Sequence, residues 1–254
     1  LEITTKEHRV RPKRIPVLIN YSINIGTKQK KFKKIPDKND LLLLKKIEEY
    51  NISDWFPKNP IMEKGSKWGD TWRAGVHLGI THTHHFYTKR NLIAISHIFN
   101  EIQKLKISKK IKHHLLMILT SFIQRNGCLM NRFIINTHNP NGRVNGPLSG
   151  RLYVSHLIVE QSIIELAKEK FQDFSKEIEN NKTYNNIIVQ TGSSSKIPQI
   201  SNNSIDYIFT DPPFGENLMY SELNFLWESW LKVFTNNQKE AIMNKSQKKG
   251  LVEY

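Results

Sequence analysis

The first pattern in the chain is an alternation of apolar and polar positions near its N-terminal end. Residues 17–25 alternate in this way, which predicts a β-strand, and Gly26 with Thr27 predicts the turn after it. The returning run, residues 28–35, is mostly lysine around one phenylalanine. This second strand is either a solvated edge protected from aggregation by its lysines or a ribbon that contacts phosphate groups.

Helical periodicity follows in several longer segments. Their apolar residues recur at spacings of three and four positions, which places them on one face of a helix. Helices are predicted over residues 37–50, with Asp40 as the N-terminal cap, and over 90–104, 108–125, 154–174 and 223–233. Residues 51–75 are rich in tryptophan and glycine and predict a loop fixed by aromatic anchors. Residues 132–154 predict a turn-rich loop.

Two apolar runs near the C-terminal end predict buried strands. The first covers residues 186–190 and ends in the small-residue loop 191–195. The second covers residues 205–210 and consists mainly of β-branched and aromatic residues. It runs into Asp211-Pro212-Pro213-Phe214, where the two prolines end the strand because neither can donate a backbone hydrogen bond.

The tetrapeptide at residues 211–214 has the groups needed to hold and activate an exocyclic amine of a nucleobase. Asp211 and the carbonyl of Pro212 can accept the two amine hydrogens, which makes the nitrogen more nucleophilic. Pro213 keeps the turn rigid, so little reorganisation is needed during the reaction. Phe214 can stack on the base, an interaction worth roughly 1–3 kcal/mol. The plainer alternative is a strand-ending turn, because Asp-Pro and Pro-Pro are common turn dipeptides.

The sequence (Asp/Asn/Ser)-Pro-Pro-(Tyr/Phe/Trp) is the signature of S-adenosyl-L-methionine-dependent amino-methyltransferases, and the chain resembles that family at residues 211–214. Four further stretches are similar to a group of large microbial DNA methylases, the adenine-specific and zinc-ribbon-containing type. These stretches are residues 14–21, 86–92, 149–154 and 215–227. The resemblance implies DNA methylation, as in restriction-modification, at adenine N6 in preference to cytosine N4.

The resemblance also implies a fold. A strand, a small-residue loop, a spacer and a motif strand are the usual layout of the second half of a class I methyltransferase sheet. We therefore expect an α/β chain in two units. Residues 1–150 would be a basic, mixed hairpin and helical region that contacts nucleic acid, and residues 151–254 a methyltransferase half-domain with a partial Rossmann-like sheet.

The cofactor implied by the resemblance is S-adenosyl-L-methionine, and Gly192 and Ser193 are the residues expected beside its adenine. The glycine-rich turn after a first strand, which such enzymes need, is not found in the sequence. In the resembled group that loop lies upstream of this region. The chain is therefore expected to be an internal piece of a longer methylase, or one half of a split enzyme whose partner chain supplies the cofactor loop.

The charge balance favours a polyanionic partner. The chain has 38 Lys and Arg against 23 Asp and Glu, a net charge of +15, which predicts binding to DNA. Lys89 and Arg90, at the start of a predicted helix, and Arg143 and Arg151, in the turn-rich loop, are the candidate contacts. No run of about eighteen apolar residues occurs, so we expect no membrane span and a cytoplasmic protein.

The number and spacing of the cysteines and histidines limit the disulfides and metal sites that the chain can form. The single cysteine, Cys128, excludes an internal disulfide and a multi-cysteine zinc ribbon within this chain, and a half-buried thiol is expected. Four histidines lie close together, at positions 77, 82, 84 and 85, but no nearby cysteine or carboxylate pair completes a metal site. Stacking or phosphate contact is the expected role of these rings, and no metal is predicted.

Two alternatives to a DNA methylase remain open. The same tetrapeptide class methylates structured RNA or the amide of protein glutamine, although those enzymes more often have Asn first and Tyr last. A second alternative is a nucleic-acid-binding fragment without catalytic activity, because the chain is basic and lacks the glycine-rich loop.

Overall fold

The computed structural model describes residues 14–26, 28–61, 79–180, 197–211 and 220–236, with four single residues, Val189, Met243, Lys249 and Gly250. These residues combine helices with two small antiparallel sheets. The strands are β1 (Ile19–Ile25), β2 (Lys28–Lys34), β3 (Arg132–Asn136) and β4 (Asn139–Asn145). The helices are α1 (Lys38–Glu49), α2 (Lys89–Lys104), α3 (Lys109–Ile123), α4 (Ile163–Asn180), α5 (Tyr220–Leu223) and α6 (Phe225–Leu231), and Thr83–Phe86 forms a 3-10 turn.

The predicted N-terminal hairpin is confirmed. Strands β1 and β2 pair in antiparallel fashion with Ile19 opposite Lys34 and Ile25 opposite Lys28. Gly26 begins the turn with φ of 61°, a conformation that a residue without a Cβ adopts at little cost. The two strands pair only with each other among the described strands, so both faces of the ribbon are exposed.

Helix α1 begins one residue after its cap, and the cap differs from the prediction. Asp37, not Asp40, is the capping residue, and its side chain accepts hydrogen bonds from the backbone N–H groups of Asn39 and Asp40. The Asp40 carboxylate accepts the backbone N–H of Asp37 at 2.9 Å, which completes a capping box. The prediction of Asp40 as the cap was wrong. Both Asp37 and Asp40 bind backbone N–H groups at this end of the helix, but Asp37 is the capping residue and Asp40 lies inside the first turn.

Helices α2 and α3, which were predicted from their periodicity, are confirmed and form the centre of the core. The buried side chains include Leu92, Ile95 and Phe99 from α2 and Leu119, Phe122 and Ile123 from α3. Helix α4 packs on α3, but it begins at Ile163 and not at residue 154 as predicted. No helix in the described part of the chain is both long and apolar enough to cross a membrane.

The prediction of a loop over residues 132–154 is wrong for its first part, where β3 and β4 form a second hairpin. Asn, Gly and Pro in β4 are poor strand formers, so local sequence favoured turns. A contact between strands compensates, since the ring of Phe133 lies where a Cβ at Gly142 would be. Gly142 also has φ of 74°, a second reason why a glycine occupies this position.

The prediction of a buried strand over residues 205–210 is also wrong for the structure described. Residues 197–211 contain no strand or helix, and Tyr207 and Phe209 are 80% and 82% exposed. A strand depends on a neighbouring strand for its hydrogen bonds. The expected neighbour, residues 186–190, lies outside the described residues except for the exposed Val189.

The C-terminal helices pack into the core through Trp230. This side chain is fully buried, and its ring lies 5.7 Å from that of Phe99 and 6.0 Å from those of Trp55 and Tyr87. The indole N–H donates a hydrogen bond to the Tyr87 hydroxyl at 3.0 Å. The predicted helix over residues 223–233 corresponds to α6, whereas α5 ends at Leu223 and was not predicted. The core therefore takes residues from both sides of position 150, and the two-unit division stays a prediction.

Replacing Trp230 with Ala should lower the free energy of unfolding by about 3–5 kcal/mol, because a large buried ring is lost. Tyr87→Phe should cost about 1–3 kcal/mol, since the buried indole N–H loses its acceptor. Urea denaturation followed by circular dichroism measures both. Tyr207→Phe is the matched control, because it removes the same hydroxyl from an exposed ring. Equal stability of the Tyr87 and Tyr207 variants would contradict this account of the core.

Candidate methyl-transfer and nucleic-acid site

The structure describes only the first residue of the predicted catalytic tetrapeptide. Asp211 is exposed and ends the described segment 197–211. Pro212, Pro213 and Phe214 lie outside the described residues, and so do both predicted cofactor residues, Gly192 and Ser193. The roles assigned to these five residues therefore stay predictions that rest on the sequence.

The chain that leads to Asp211 is apolar and open to solvent. Tyr207, Ile208 and Phe209 are all mostly exposed, and neither a helix nor a strand orders this segment. Contiguous large apolar side chains on a surface usually mark a site of interaction. The segment also has two exposed carboxylates, Asp206 and Asp211, which gives a matched pair for testing the role of the motif.

The predicted DNA contacts Lys89 and Arg90 lie in the first turn of α2. Thr88 caps this helix, and its hydroxyl donates to Glu160 Oε1 at 2.8 Å. Arg90 Nε donates to the same oxygen, also at 2.8 Å, although the Arg90 side chain remains 55% exposed. Arg90 is thus shared between Glu160 and the solvent, whereas no ion pair is described for Lys89 within the described part of the chain.

The structure connects Arg143 with this region through the second hairpin. Arg143 is exposed on β4, opposite Ile134 of β3. Strand β3 forms an isolated bridge from Arg132 to Ile158, and Glu160 follows two residues later. The backbone around residue 160 therefore joins the root of the hairpin to the start of α2. Arg151 is exposed, and no contact in the described structure joins it to the other three residues.

Two of the four clustered histidines lie inside the protein and not on a nucleic-acid surface. His84 and His85 are buried, and their ring centroids are 4.3 Å apart. Phe56 packs edge-on against His84, and the Thr81 backbone N–H donates to His85 Nδ1. Both rings are buried among side chains of the protein, so neither contact with a phosphate nor stacking on a base is observed for them. His77 lies outside the described residues, within which no group of three metal-ligating side chains occurs.

A groove that the sequence did not predict lies between residues 52–60 and the end of α6. It has a volume of about 800 Å³, and its lining includes the rings of Trp55, Phe56 and Phe234 and the side chains of Lys58 and Lys232. The Lys232 ammonium lies 3.9 Å above the ring of Trp55, and Lys58 lies 4.9 Å from the centre of Phe56. Trp55 was predicted as an anchor of the loop. The position of Lys232 over this ring was not predicted, and Lys232 itself adopts a left-handed backbone conformation, with φ of 58°, after α6.

Comparisons with known protein families, curated proteins and solved structures find no match for this chain.

Cys128 is not available as a nucleophile in the folded chain. Its thiol is buried and donates a hydrogen bond to the Gln124 carbonyl at 2.6 Å. Burial raises the pKa of Cys128 to about 12, so the thiol stays protonated at neutral pH. This agrees with the predicted structural role, although the side chain is more buried than expected.

The Cys128 thiol should react very slowly with a disulfide reagent at about pH 8, because reaction needs an exposed thiolate. Denaturation in urea should restore the rate expected of a free cysteine. The measurement is the absorbance of the released chromophore, with the urea-treated protein as its control. Rapid labelling of the native chain would contradict the buried, protonated state.

Proposed function

We propose that this chain supplies the target-base part of a DNA amino-methyltransferase. The reaction is methyl transfer to an exocyclic amine, with adenine N6 preferred to cytosine N4. The observation that carries the proposal is the sequence Asp211-Pro212-Pro213-Phe214, whose first residue presents an exposed carboxylate. The net charge of +15 supports DNA as the partner, and a cytoplasmic restriction-modification setting fits the same chemistry.

The chemistry assigned to the tetrapeptide is orientation and polarisation of the amine. Asp211 and the Pro212 carbonyl accept the two amine hydrogens, while Pro213 fixes the turn and Phe214 stacks on the base. The base must first leave the duplex, which costs a few kcal/mol. No base needs to remove a proton before the methyl arrives, because the amine proton can leave afterwards.

S-adenosyl-L-methionine is the methyl donor that the motif implies. The described residues do not form a cradle for it, since Gly26 lies in a hairpin turn and Gly142 lies under a phenylalanine ring. The cofactor assignment therefore rests on Gly192 and Ser193 and on a glycine-rich loop from elsewhere. The partial Rossmann-like sheet belongs to the same proposal, in which the segment before Asp211 pairs with strands that the described residues do not include.

A nucleic-acid-binding fragment without catalytic activity is the second candidate. The missing cradle among the described residues and the exposed basic side chains favour it. An RNA amino-methyltransferase is weaker, because Asp at the first position and Phe at the last position of the motif favour DNA. The two leading candidates differ in one property, which is whether Asp211 recognises an amine-bearing base.

Binding of a duplex with one unpaired, bulged adenine tests this property without the cofactor and without a known recognition sequence. We expect the chain to bind this duplex about tenfold more tightly than one with a bulged thymine, which has no exocyclic amine. An extruded base avoids the cost of unstacking, and an amine bonded to a carboxylate contributes roughly 1.5–3 kcal/mol. Fluorescence anisotropy of the labelled duplexes measures the difference.

Asp211→Ala should abolish the preference for adenine, and Asp206→Ala should leave it intact. Both variants remove one exposed carboxylate from the same segment, so a change in net charge affects them equally. Salt-sensitive binding with no preference between the two bulges would overturn the proposal and support the inactive fragment. An equal loss of preference in both variants would show that the motif has no special role.

A further inference from the structure

We propose that the ribbon formed by β1 and β2 enters the major groove of duplex DNA and reads base edges with its polar face. This inference rests on the DNA partner of the proposed function and not on methyl transfer. It adds a recognition surface to a protein whose tetrapeptide identifies only the chemical type of the target.

The antiparallel register divides the ribbon into two different faces. Residues directly opposite each other point to the same side of a ribbon. One face therefore consists entirely of hydrogen-bonding side chains, which are Asn20, Ser22, Asn24, Gln29, Lys31 and Lys33. All six are exposed. The other face combines Tyr21, Phe32 and isoleucines with the remaining lysines.

The side chains of the polar face are those that discriminate between base pairs. Asn and Gln form paired hydrogen bonds with adenine, Lys binds the acceptors of guanine, and Ser can bind to either. No large apolar side chain interrupts this face. A plain solvated edge strand needs lysines, but it does not need three amides and a hydroxyl aligned with them.

The electrostatics of the ribbon match a polyanion. Residues 19–34 include five lysines and no acidic residue. Lys34 is the exception among the lysines, because it contacts Asp37 and Asp40 at 3.1 and 2.7 Å. Within the described residues the other four lysines have no ion pair, so they can contact phosphates or bases.

The dimensions of the ribbon also fit. Each strand has seven residues, which corresponds to a length of roughly 23 Å at the usual rise per residue. Two strands about 5 Å apart, with their backbones, are narrower than the major groove, which is about 12 Å wide and admits a two-stranded ribbon. The ribbon has no third strand among the described residues that would block entry.

A single strand is a poorer ligand for this surface. Proteins that bind single strands stack bases on open aromatic rings. Here the two rings, Tyr21 and Phe32, lie on the apolar face and stack on each other at 5.5 Å with 23° between their planes. The polar face has no aromatic residue, so its recognition groups suit the base edges in a duplex groove.

Contacts with α1 fix one end of the ribbon. The two carboxylates that cap this helix hold Lys34 at the end of β2. The hydrogen bonds from Lys34 to Asp40 and Asp37 raise the pKa of Lys34, and the Asp40 backbone N–H lowers that of Asp37. The contacts of Lys34 with Asp37 and Asp40 fix this end of the ribbon beside α1, and the turn at Gly26 lies at the opposite, free end.

Two double variants with equal charge loss test which face contacts DNA. Lys31→Ala with Lys33→Ala changes the polar face, and Lys28→Ala with Lys30→Ala changes the apolar face of the same strand. On a fully paired duplex of random sequence, two helical turns long, the first pair should weaken binding by at least about tenfold and the second by less than about threefold. Equal losses would overturn the proposal, because they would indicate a general charge effect.

Selection from the same random duplex pool tests base reading. The unmodified chain should enrich a subset of sequences, and the neutral variant Asn20→Ala, Asn24→Ala, Gln29→Ala should not, although it keeps the same salt dependence. Tighter binding of the pool's separated strands, or unchanged enrichment by the triple variant, would overturn the proposal. These measurements use paired duplexes, so they are independent of the preference for a bulged adenine.

Discussion

The burial of Trp230 is the interaction on which the rest of the described structure depends. Its ring packs on Trp55, Tyr87 and Phe99, which brings the C-terminal helix α6 against the first half of the chain. Thr83 and Ser229 add a buried hydrogen bond at the same junction. Helix α5 begins at Tyr220, and Asp211, the first residue of the tetrapeptide, is exposed.

The residues proposed to bind DNA lie on the surface around that core. The rings of His84 and His85 are buried in the interior, and the lysine-rich ribbon lies outside it. Glu160 orients Arg90, and more than half of the Arg90 side chain remains exposed. In the function we propose, the tetrapeptide that begins at the exposed Asp211 binds the target base, and the basic surfaces position the DNA.

The elements that were predicted correctly are those that can be recognised from a local pattern of residues. The first hairpin, α2 and α3 follow from alternation and from helical periodicity, and their patterns need no partner to be recognised. The second hairpin was not predicted because it depends on the contact of Phe133 with Gly142, which lies on the neighbouring strand. The strand expected at residues 205–210 was wrong because strand pairing is non-local. The link from Arg90 to Glu160 and the position of Lys232 over Trp55 likewise join distant residues, whereas the tetrapeptide could be recognised only from sequence.

The most direct test of the central claim is to find which residue touches the extruded base. A duplex with a single bulged 5-iodocytosine keeps the exocyclic amine and forms a covalent link to a stacked aromatic ring on irradiation. Mass spectrometry of the digested product identifies the attached residue. The account predicts attachment at Phe214 that is lost in Asp211→Ala. Attachment to Trp55 or Phe56 in the groove would contradict it and would move the base-binding site there.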